Sequence, residues 1–199
     1  FYTRRKLMRQ LHHPHVVQFL GTSVDQETSL VSLCFEFMHK GSLDHMFRKM
    51  YDEHTGAPTI TIAHAVEMAM DVARGMAYLH GRKPLPVIHR DLKSPNLMVD
   101  RYFRVKVGDF NLSRVAVAAA GGRGSTSGAT SVNPETSQGA LHSPRWMAPE
   151  VLRAAKYTKA SDVYSFGIVL WEIRTLKIPW ASSGQWQVMH AVVEEGRRP

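Results

Sequence analysis

Four side chains able to handle protons, charge and metal ions stand close together in this sequence. Asp91, Lys93 and Asn96 share the stretch His89–Asn96, and Asp109 follows a short way along the chain. A carboxylate such as Asp91 can accept a proton from a hydroxyl, and an ammonium such as Lys93 can neutralise a developing negative charge. The amide oxygen of Asn96 and the carboxylate of Asp109 are hard ligands of the kind that magnesium prefers.

Phosphoryl transfer is a reaction that needs all of these groups. The transferred group is loosely bonded to both oxygens, so the protein mainly positions the reactants and neutralises charge. Two predicted strands, Leu97–Val99 and Val105–Val107, form a hairpin that returns the chain beside its starting loop. We therefore expect Asp109 to lie beside Asp91 and Asn96 in one cleft.

Five segments of the chain together resemble the catalytic domain of eukaryotic protein kinases. His89–Asn96 resembles the catalytic loop, and Val107–Asn111 resembles the magnesium-binding segment. Arg145–Glu150 resembles the segment that ends the activation loop. Residues 35–43 resemble the adenine-binding hinge, and residues 161–167 resemble the central helix of the larger lobe. Trp-Met-Ala-Pro-Glu at 146–150 and Leu-Trp-Glu-Ile at 170–173 are typical of the tyrosine-kinase-like group, which includes Raf-like and mixed-lineage serine/threonine kinases.

This resemblance implies a binding site for ATP. Phe35 would be the gatekeeper behind the adenine pocket, and Met98 would form its floor. Glu36 and Met38 would belong to the hinge, with Ser42 at its far end. The implied cofactors are ATP and Mg²⁺, the metal ion being held by Asn96 and Asp109.

The resemblance also implies a serine/threonine protein kinase acting on protein substrates. Asp91 would orient the substrate hydroxyl and accept its proton, and Lys93 would contact the γ-phosphate. Lys93 stands two positions after Asp91, as in serine/threonine kinases. Ser143 stands where these enzymes keep a substrate-facing hydroxyl that bonds Asp91 and Lys93.

A regulatory phosphate pocket is implied at Arg90 and Arg114. A pair of guanidinium groups holds phosphate well because each can donate two hydrogen bonds at once. We expect an upstream activating kinase to phosphorylate Thr136 or Ser137 in the long loop that precedes Ser143.

The pattern of apolar residues predicts an α+β fold. Strands are expected at Val16–Leu20 and Leu30–Phe37, in addition to the two strands of the hairpin. Residues 116–140 are rich in small and polar residues and read as a long loop. The predicted helices are Thr3–Leu11, Ser42–Met50, Thr61–His80, Pro149–Ala154, Ser161–Thr175 and Trp186–Glu195.

Two lobes are expected from the resemblance. Residues 1–38 would be a partial small β lobe, carrying the regulatory helix and two strands. Residues 39–199 would be a mostly helical larger lobe without its last helices, with the activation segment at 109–150. The chain would then be truncated at both ends, and we expect the isolated fragment to bind ATP poorly and to be inactive.

Two departures from the kinase pattern keep a second function open. Arg4, ten residues before Pro14, stands at the position of the helix glutamate that usually pairs with the ATP-gripping lysine, so either the early residues are out of register or the kinase is atypical. Asn111 replaces the usual glycine after Phe110. The alternative is a pseudokinase, an interaction module that uses the fold to regulate a partner. The presence of Asp91, Lys93, Asn96 and Asp109 favours the enzyme, because a binding module has no need of all four.

The composition of the chain bears on its partners and its location. The net charge of +8 comes from scattered basic residues, which indicates solubility and affinity for phosphate, and no nucleic-acid partner is expected. A single cysteine, Cys34, suits a reducing compartment, so we expect a cytoplasmic location. The longest apolar run, around Val163–Ile173, is interrupted by Ser165 and Glu172 and is too short to cross a membrane.

Overall fold

The computed structural model describes residues 7–50, 60–110, 113–115 and 143–199. These residues form an α+β fold with short sheets near the start and helices dominating afterwards. Arg4, Asn111, the predicted loop at 116–140 and the predicted phosphorylation sites Thr136 and Ser137 lie outside the described residues, as does most of the first predicted helix. Of that helix, residues 7 and 8 are helical.

Two antiparallel strands form the small sheet. They are β1 (Phe19–Val24) and β2 (Val31–Phe35), with Thr22 opposite Leu33. The predicted pairing is confirmed, but the predicted bounds of β1 are wrong. Val16 bridges to Val107 in the larger body instead, so β1 begins later and extends through residues that were expected to turn. The turn falls at Asp25, whose carboxylate accepts hydrogen bonds from the amides of residues 27 and 28.

Cys34 illustrates how open this sheet is. A free cysteine is usually a small buried residue, but the side chain of Cys34 in β2 is exposed. Within the described residues β2 pairs with β1 alone, so its backbone lies in a two-stranded ribbon with little to cover either face.

A three-stranded sheet lies under the hinge. It consists of β3 (Gly41–Ser42), β5 (Leu97–Val99) and β6 (Val105–Val107), in the spatial order β3-β5-β6 and antiparallel throughout. The two hairpin strands have the predicted bounds. A separate ladder joins β4 (Val87–Ile88) to β7 (Arg114–Val115). The catalytic-loop candidates therefore lie between β4 and β5.

Five helices accompany these sheets in the described part of the chain. Their bounds agree with the predicted positions within a few residues, apart from the first predicted helix. They are α1 (Leu43–Met50), α2 (Ile62–Gly81), α3 (Pro149–Leu152), α4 (Lys159–Thr175) and α5 (Gln185–Val193). Among the described residues no helix is both long and apolar enough to cross a membrane.

The helix α2 begins at a side-chain cap, because the hydroxyl of Thr61 accepts a hydrogen bond from the amide of His64. Ile62, Val66 and Met70 recur at helical spacing along it, yet these three side chains are exposed. The buried face carries a second stripe at helical spacing, consisting of Met68, Asp71, Val72, Gly75, Met76 and Leu79. The predicted helix is confirmed, and Met68 and Met76 from its methionine-rich stretch lie in the core.

Gly75 explains which stripe of α2 faces inward. A Cβ at this position would lie 2.4 Å from the backbone oxygen of His15 and 2.8 Å from Cγ2 of Val107. Only a glycine allows this close approach of α2 to β6 and to the segment that precedes β1. The same contact is fixed by Asp71, whose carboxylate accepts from the amide of Val105 at 3.0 Å and lies 3.3 Å from Nδ1 of His15.

Candidate active site

The loop between β4 and β5 brings three predicted site residues into contact. Nδ2 of Asn96 donates to the backbone oxygen of Asp91 at 2.7 Å and to its carboxylate oxygen Oδ2 at 2.9 Å. Nζ of Lys93 lies 2.9 Å from the same carboxylate oxygen. Asp91 therefore has a fixed orientation, with an ammonium group beside the carboxylate that would accept a proton.

Asp162 supports this loop from below. It lies in the first turn of α4, is 2% exposed, and accepts hydrogen bonds from the amides of His89 at 2.8 Å and Arg90 at 2.9 Å. Nε2 of His80 lies 2.8 Å from the same carboxylate. Because a buried carboxylate that accepts several hydrogen bonds is held firmly, the backbone just before Asp91 is fixed to the helical body.

Ser143 joins this group from a distant part of the chain. Its hydroxyl oxygen accepts a hydrogen bond from Nζ of Lys93 at 2.7 Å. Ser143 precedes the 3₁₀ turn Pro144–Trp146 and has a left-handed backbone, with a φ of 77°. The sequence predicted contacts to both Lys93 and Asp91, and the contact to Lys93 is present.

Asp109 reaches the same region through Gly108. The amide of Gly108 donates to the backbone oxygen of Asn96 at 2.9 Å, and Nε2 of His89 lies 2.9 Å from the backbone oxygen of Gly108. Asp109 follows directly, with an exposed side chain and a φ of 47°. The hairpin thus returns the chain beside the first loop, as expected.

The donor set of this region fits a hard divalent cation. Asn96 uses Nδ2 for its bonds to Asp91, which leaves Oδ1 for a metal ion. The carboxylate of Asp109 is exposed next to the segment that Asn96 anchors. Oxygen donors of these two types suit magnesium.

The residues expected to hold adenine lie on the strands beside this site. Ser42 is directly opposite Met98 in the pairing of β3 with β5. The side chain of Met98 approaches Gly108, since a Cβ there would be 3.3 Å from Cγ of Met98. The floor candidate Met98 therefore connects the hinge end at Ser42 with the segment that carries Asp109.

Glu36, a predicted hinge residue, forms an ion pair with Lys106. Both carboxylate oxygens of Glu36 accept hydrogen bonds from Nζ of Lys106, at 2.8 and 2.6 Å, and one also accepts from the amide of Gln18. Phe35 packs edge-on against Phe19 with 5.6 Å between ring centroids. The side chain of Glu36 thus ties the hinge to β6, a role that no local motif indicates.

Met38 completes the hinge candidates. It is buried, and its backbone oxygen accepts a hydrogen bond from the amide of Gly41 at 3.1 Å. The chain then turns into β3 and runs beside β5. Phe35, Glu36 and Met38 consequently follow one another from β2 into the three-stranded sheet.

Arg90 is buried, whereas a side chain that binds an incoming phosphate is usually exposed. Its guanidinium lies over the ring of Tyr157 at 4.4 Å. Burial raises the pKa of the Tyr157 hydroxyl, an effect that the nearby Arg90 opposes. Arg114 pairs through its backbone with Ile88 in the ladder of β4 and β7. The phosphate pocket stays a prediction, because the side chain of Arg114 is outside what is described.

Glu172 is the residue near the site that the sequence reasoning missed. It is buried in α4, and it accepts hydrogen bonds from the hydroxyl of Ser94 and from the indole nitrogen of Trp146. Burial raises the pKa of its carboxyl to about 7, although these two hydrogen bonds act in the opposite direction. The available signal was an isolated acidic residue inside an apolar helix.

Comparison with known proteins agrees with the geometry of this site. A family model described as protein tyrosine and serine/threonine kinase matches residues 1–199. The chain is 42% identical over 187 residues to the serine/threonine-protein kinase CTR1 of Arabidopsis thaliana, covering 94% of this chain and 20% of that protein. It is 39% identical over 199 residues to the probable serine/threonine-protein kinase drkB of Dictyostelium discoideum, covering 100% of this chain and 25% of that protein.

A third relative carries a broader name. The chain is 35% identical over 193 residues to the serine/threonine/tyrosine-protein kinase HT1 of Arabidopsis thaliana, covering 97% of this chain and 43% of that protein. The chain therefore spans less than half the length of each of these three relatives.

Proposed function

This chain belongs to the family of protein tyrosine and serine/threonine kinases, and on that premise we propose that the protein transfers the γ-phosphoryl group of ATP to serine or threonine hydroxyls of protein substrates. The observation that carries the proposal is the cluster at Asp91, where Lys93 and Asn96 both contact one carboxylate oxygen. The relatives at about 40% identity are named serine/threonine kinases, which favours the enzyme over the pseudokinase alternative.

Asp91 is the proposed proton acceptor. Asn96 and Lys93 orient its carboxylate, and the substrate hydroxyl would approach the side of the carboxylate that these two groups leave open. As the hydroxyl attacks, its proton passes to Asp91 while negative charge spreads over the transferred phosphoryl oxygens. Lys93, held between Asp91 and Ser143, is positioned to neutralise that charge.

ATP and a divalent metal ion are used throughout this family. We propose Mg²⁺ as the ion, with Oδ1 of Asn96 and the carboxylate of Asp109 as its protein ligands. The bound ion would neutralise phosphate charge and hold the phosphates in place. Phe35, Glu36, Met38, Ser42 and Met98 are proposed to enclose the adenine end of ATP.

The boundary between the two lobes is proposed near residue 38. The small sheet of β1 and β2 precedes that point, and β3 beyond it pairs with β5 of the larger body. The activation segment is proposed at 109–150, with Arg90 and Arg114 binding a phosphate placed there by an upstream kinase. A cytoplasmic location is proposed from the single cysteine.

The first prediction tests the role of Asp91 in the complete protein. Asp91→Asn keeps the shape of the side chain but removes the proton acceptor, so transfer of γ-phosphate to a generic basic protein substrate should fall about 10²–10⁴-fold. Incorporation of labelled phosphate measures this directly. Glu67→Gln, which removes one exposed carboxylate from the outer face of α2, is the matched control and should transfer at the wild-type rate.

Two results would argue against the proposal. Equal labelling by wild type and Asp91→Asn would show that the phosphate comes from another source or another residue. Labelling confined to tyrosine in phosphoamino-acid analysis would remove the serine/threonine assignment while leaving phosphoryl transfer in place.

A further inference from the structure

Glu172 joins two segments that are far apart in sequence. Its Oε1 accepts a hydrogen bond from the hydroxyl of Ser94 at 2.5 Å, and its Oε2 accepts one from the indole Nε1 of Trp146 at 2.7 Å. The carboxylate is 2% exposed, and Ser94 is fully buried. Each oxygen of one buried carboxylate therefore holds a different segment.

Both segments belong to the candidate active site. Ser94 begins the 3₁₀ turn that ends at Asn96, directly after Lys93. Trp146 ends the 3₁₀ turn that Ser143 precedes, and its amide donates to the backbone oxygen of Ser143 at 3.1 Å. The two turns also meet at the front, where Lys93 donates to Ser143.

These contacts form a closed ring. The ring runs from Lys93 to Ser143, through one turn to Trp146, across Glu172 to Ser94, and back to Lys93 through the chain. The backbone of Trp146 is further anchored to α4, because its oxygen accepts a hydrogen bond from the hydroxyl of Ser165 at 2.7 Å. Glu172 is the member of the ring that fixes the rear of both turns to the same point of α4.

We propose that Glu172 is a positioning residue, which holds the catalytic loop and the substrate-facing turn at Ser143 in one fixed relative placement. The inference rests on the proposed function and extends it to a residue that touches neither ATP nor the protein substrate. Removing one hydrogen-bond donor of this buried carboxylate releases one turn, and the front contact between Lys93 and Ser143 then loses its support. A misplacement of about 1 Å near a reacting centre can lower a rate by about 10²-fold.

The effect should fall on kcat and on the protein substrate, because the adenine end of ATP is held by other contacts. The adenine candidates lie on the hinge, β3 and β5, and the hinge is tied to β6 through Glu36 and Lys106. None of these contacts passes through Glu172. We therefore expect a lower kcat and a higher KM for the protein substrate, with the KM for ATP nearly unchanged.

A double-mutant cycle in the complete protein tests the ring. Ser94→Ala and Trp146→Phe each remove one bond to Glu172 while keeping most of the buried volume. Each should lower kcat/KM for the protein substrate about 10-fold. In the double variant, kcat/KM should be no more than about 2-fold below that of the less active single variant, because both changes break the same ring. The KM for ATP should stay within about 2-fold of the wild-type value in all three.

Two further variants serve as matched comparisons. Thr175→Ala removes a hydroxyl from the same helix, whose bond runs to the backbone oxygen of Trp171 at 2.8 Å, and it should leave kcat/KM unchanged. Glu172→Gln can accept from Trp146 with its oxygen and donate to Ser94 with its nitrogen. It should therefore retain clearly more activity than Glu172→Ala.

Hydrogen exchange supplies a readout that needs no turnover. The amides of Trp146 and Met147 bond within the second turn, to the backbone oxygens of Ser143 and Pro144. They should exchange faster in Ser94→Ala, although Ser94 touches neither amide, and should exchange at the wild-type rate in Thr175→Ala.

The possible outcomes separate the two proposals. Single effects that multiply in the double variant, or an equal rise in the KM for ATP, would overturn the role of Glu172. Phosphate transfer by the wild type together with unchanged exchange at Trp146 in Ser94→Ala would overturn it as well. Faster exchange in Ser94→Ala with no transfer by the wild type would support the ring and contradict the proposed function.

Discussion

Positive φ angles mark three residues of the candidate site. Arg90, Asp109 and Ser143 have φ values of 73°, 47° and 77°. Such backbone conformations cost L-residues about 1–3 kcal/mol each and persist where surrounding contacts fix them. At Arg90 the amide donates to Asp162, and at Ser143 the hydroxyl accepts from Lys93. The strained backbone conformations therefore occur at residues of the candidate site, where the orientation of a side chain matters.

Glu172 leads to a prediction about stability and pH. Its pKa is about 7 in the folded protein against 4.5 for the ordinary carboxyl, mainly because burial disfavours the charged form. The folded state then binds more protons than the unfolded state between these two values. The contribution of Glu172 to stability is fully present below pH 4.5 and is lost as the pH rises through about 7.

Urea unfolding between pH 5 and 8 measures this contribution as a difference between wild type and Glu172→Gln. The free energy of unfolding of the wild type should fall relative to the variant by up to about 3 kcal/mol over this range, because one pKa unit corresponds to about 1.4 kcal/mol. Other carboxyl groups cancel in the difference. A difference that is constant with pH, or that rises with pH, would show that the carboxyl is not destabilised by burial.

At the scale of elements, the packing of α2 depends on a missing side chain. Gly75→Ala would place a Cβ against the backbone of His15 and the side chain of Val107. Although alanine favours helices over glycine, this overlap should destabilise the protein by about 1–3 kcal/mol. Thermal unfolding of the variant measures the change.

Gly167→Ala in α4 is the matched control for this prediction. A Cβ at Gly167 meets nothing within 4 Å, and the residue is in the helix interior. The substitution should therefore stabilise the protein by about 0.5–1 kcal/mol. Two variants that shift the unfolding temperature in the same direction would contradict the close approach of α2 to β6.

The elements show what a single sequence can and cannot predict. The hairpin of β5 and β6 was predicted with its bounds, because β-branched residues there lie between polar turn residues. Spacing alone does not decide the buried face of α2, because Ile62–Val66–Met70 and Met68–Val72–Met76 both have helical spacing. The choice between them was made by tertiary contacts at Gly75 and Asp71, which periodicity does not contain.

The candidate site was likewise only partly predictable from the sequence. Asp91, Lys93 and Asn96 could be grouped because they occupy one loop, and the contact of Ser143 with Lys93 followed from the kinase resemblance. Glu172 and the ion pair of Glu36 with Lys106 could not be predicted, because their partners are distant in sequence and no local motif connects them. Roles that depend on long-range contacts required the folded structure.

At the scale of the whole molecule, the small sheet and the helical body meet along β6. The amide of Val17 donates to the backbone oxygen of Val107 at 2.8 Å, and the amide of Val107 donates to the backbone oxygen of His15 at 2.9 Å. Glu36 and Lys106 add an ion pair at the hinge. The β6 strand that binds the two parts together ends one residue before Gly108 and so leads directly to Asp109. The architecture therefore connects the hinge, through Lys106 of β6, with the segment that carries Asp109.

The most direct test of the account is the position of a divalent cation in crystals of the complete protein with a non-hydrolysable ATP analogue. Manganese can replace magnesium in the crystals, and its anomalous scattering identifies the site without reference to activity. We expect the ion to be bound by Oδ1 of Asn96 and the carboxylate of Asp109, with the terminal phosphate of the analogue facing Asp91. A cation and nucleotide bound away from these three residues would contradict the central claim that they form one phosphoryl-transfer site.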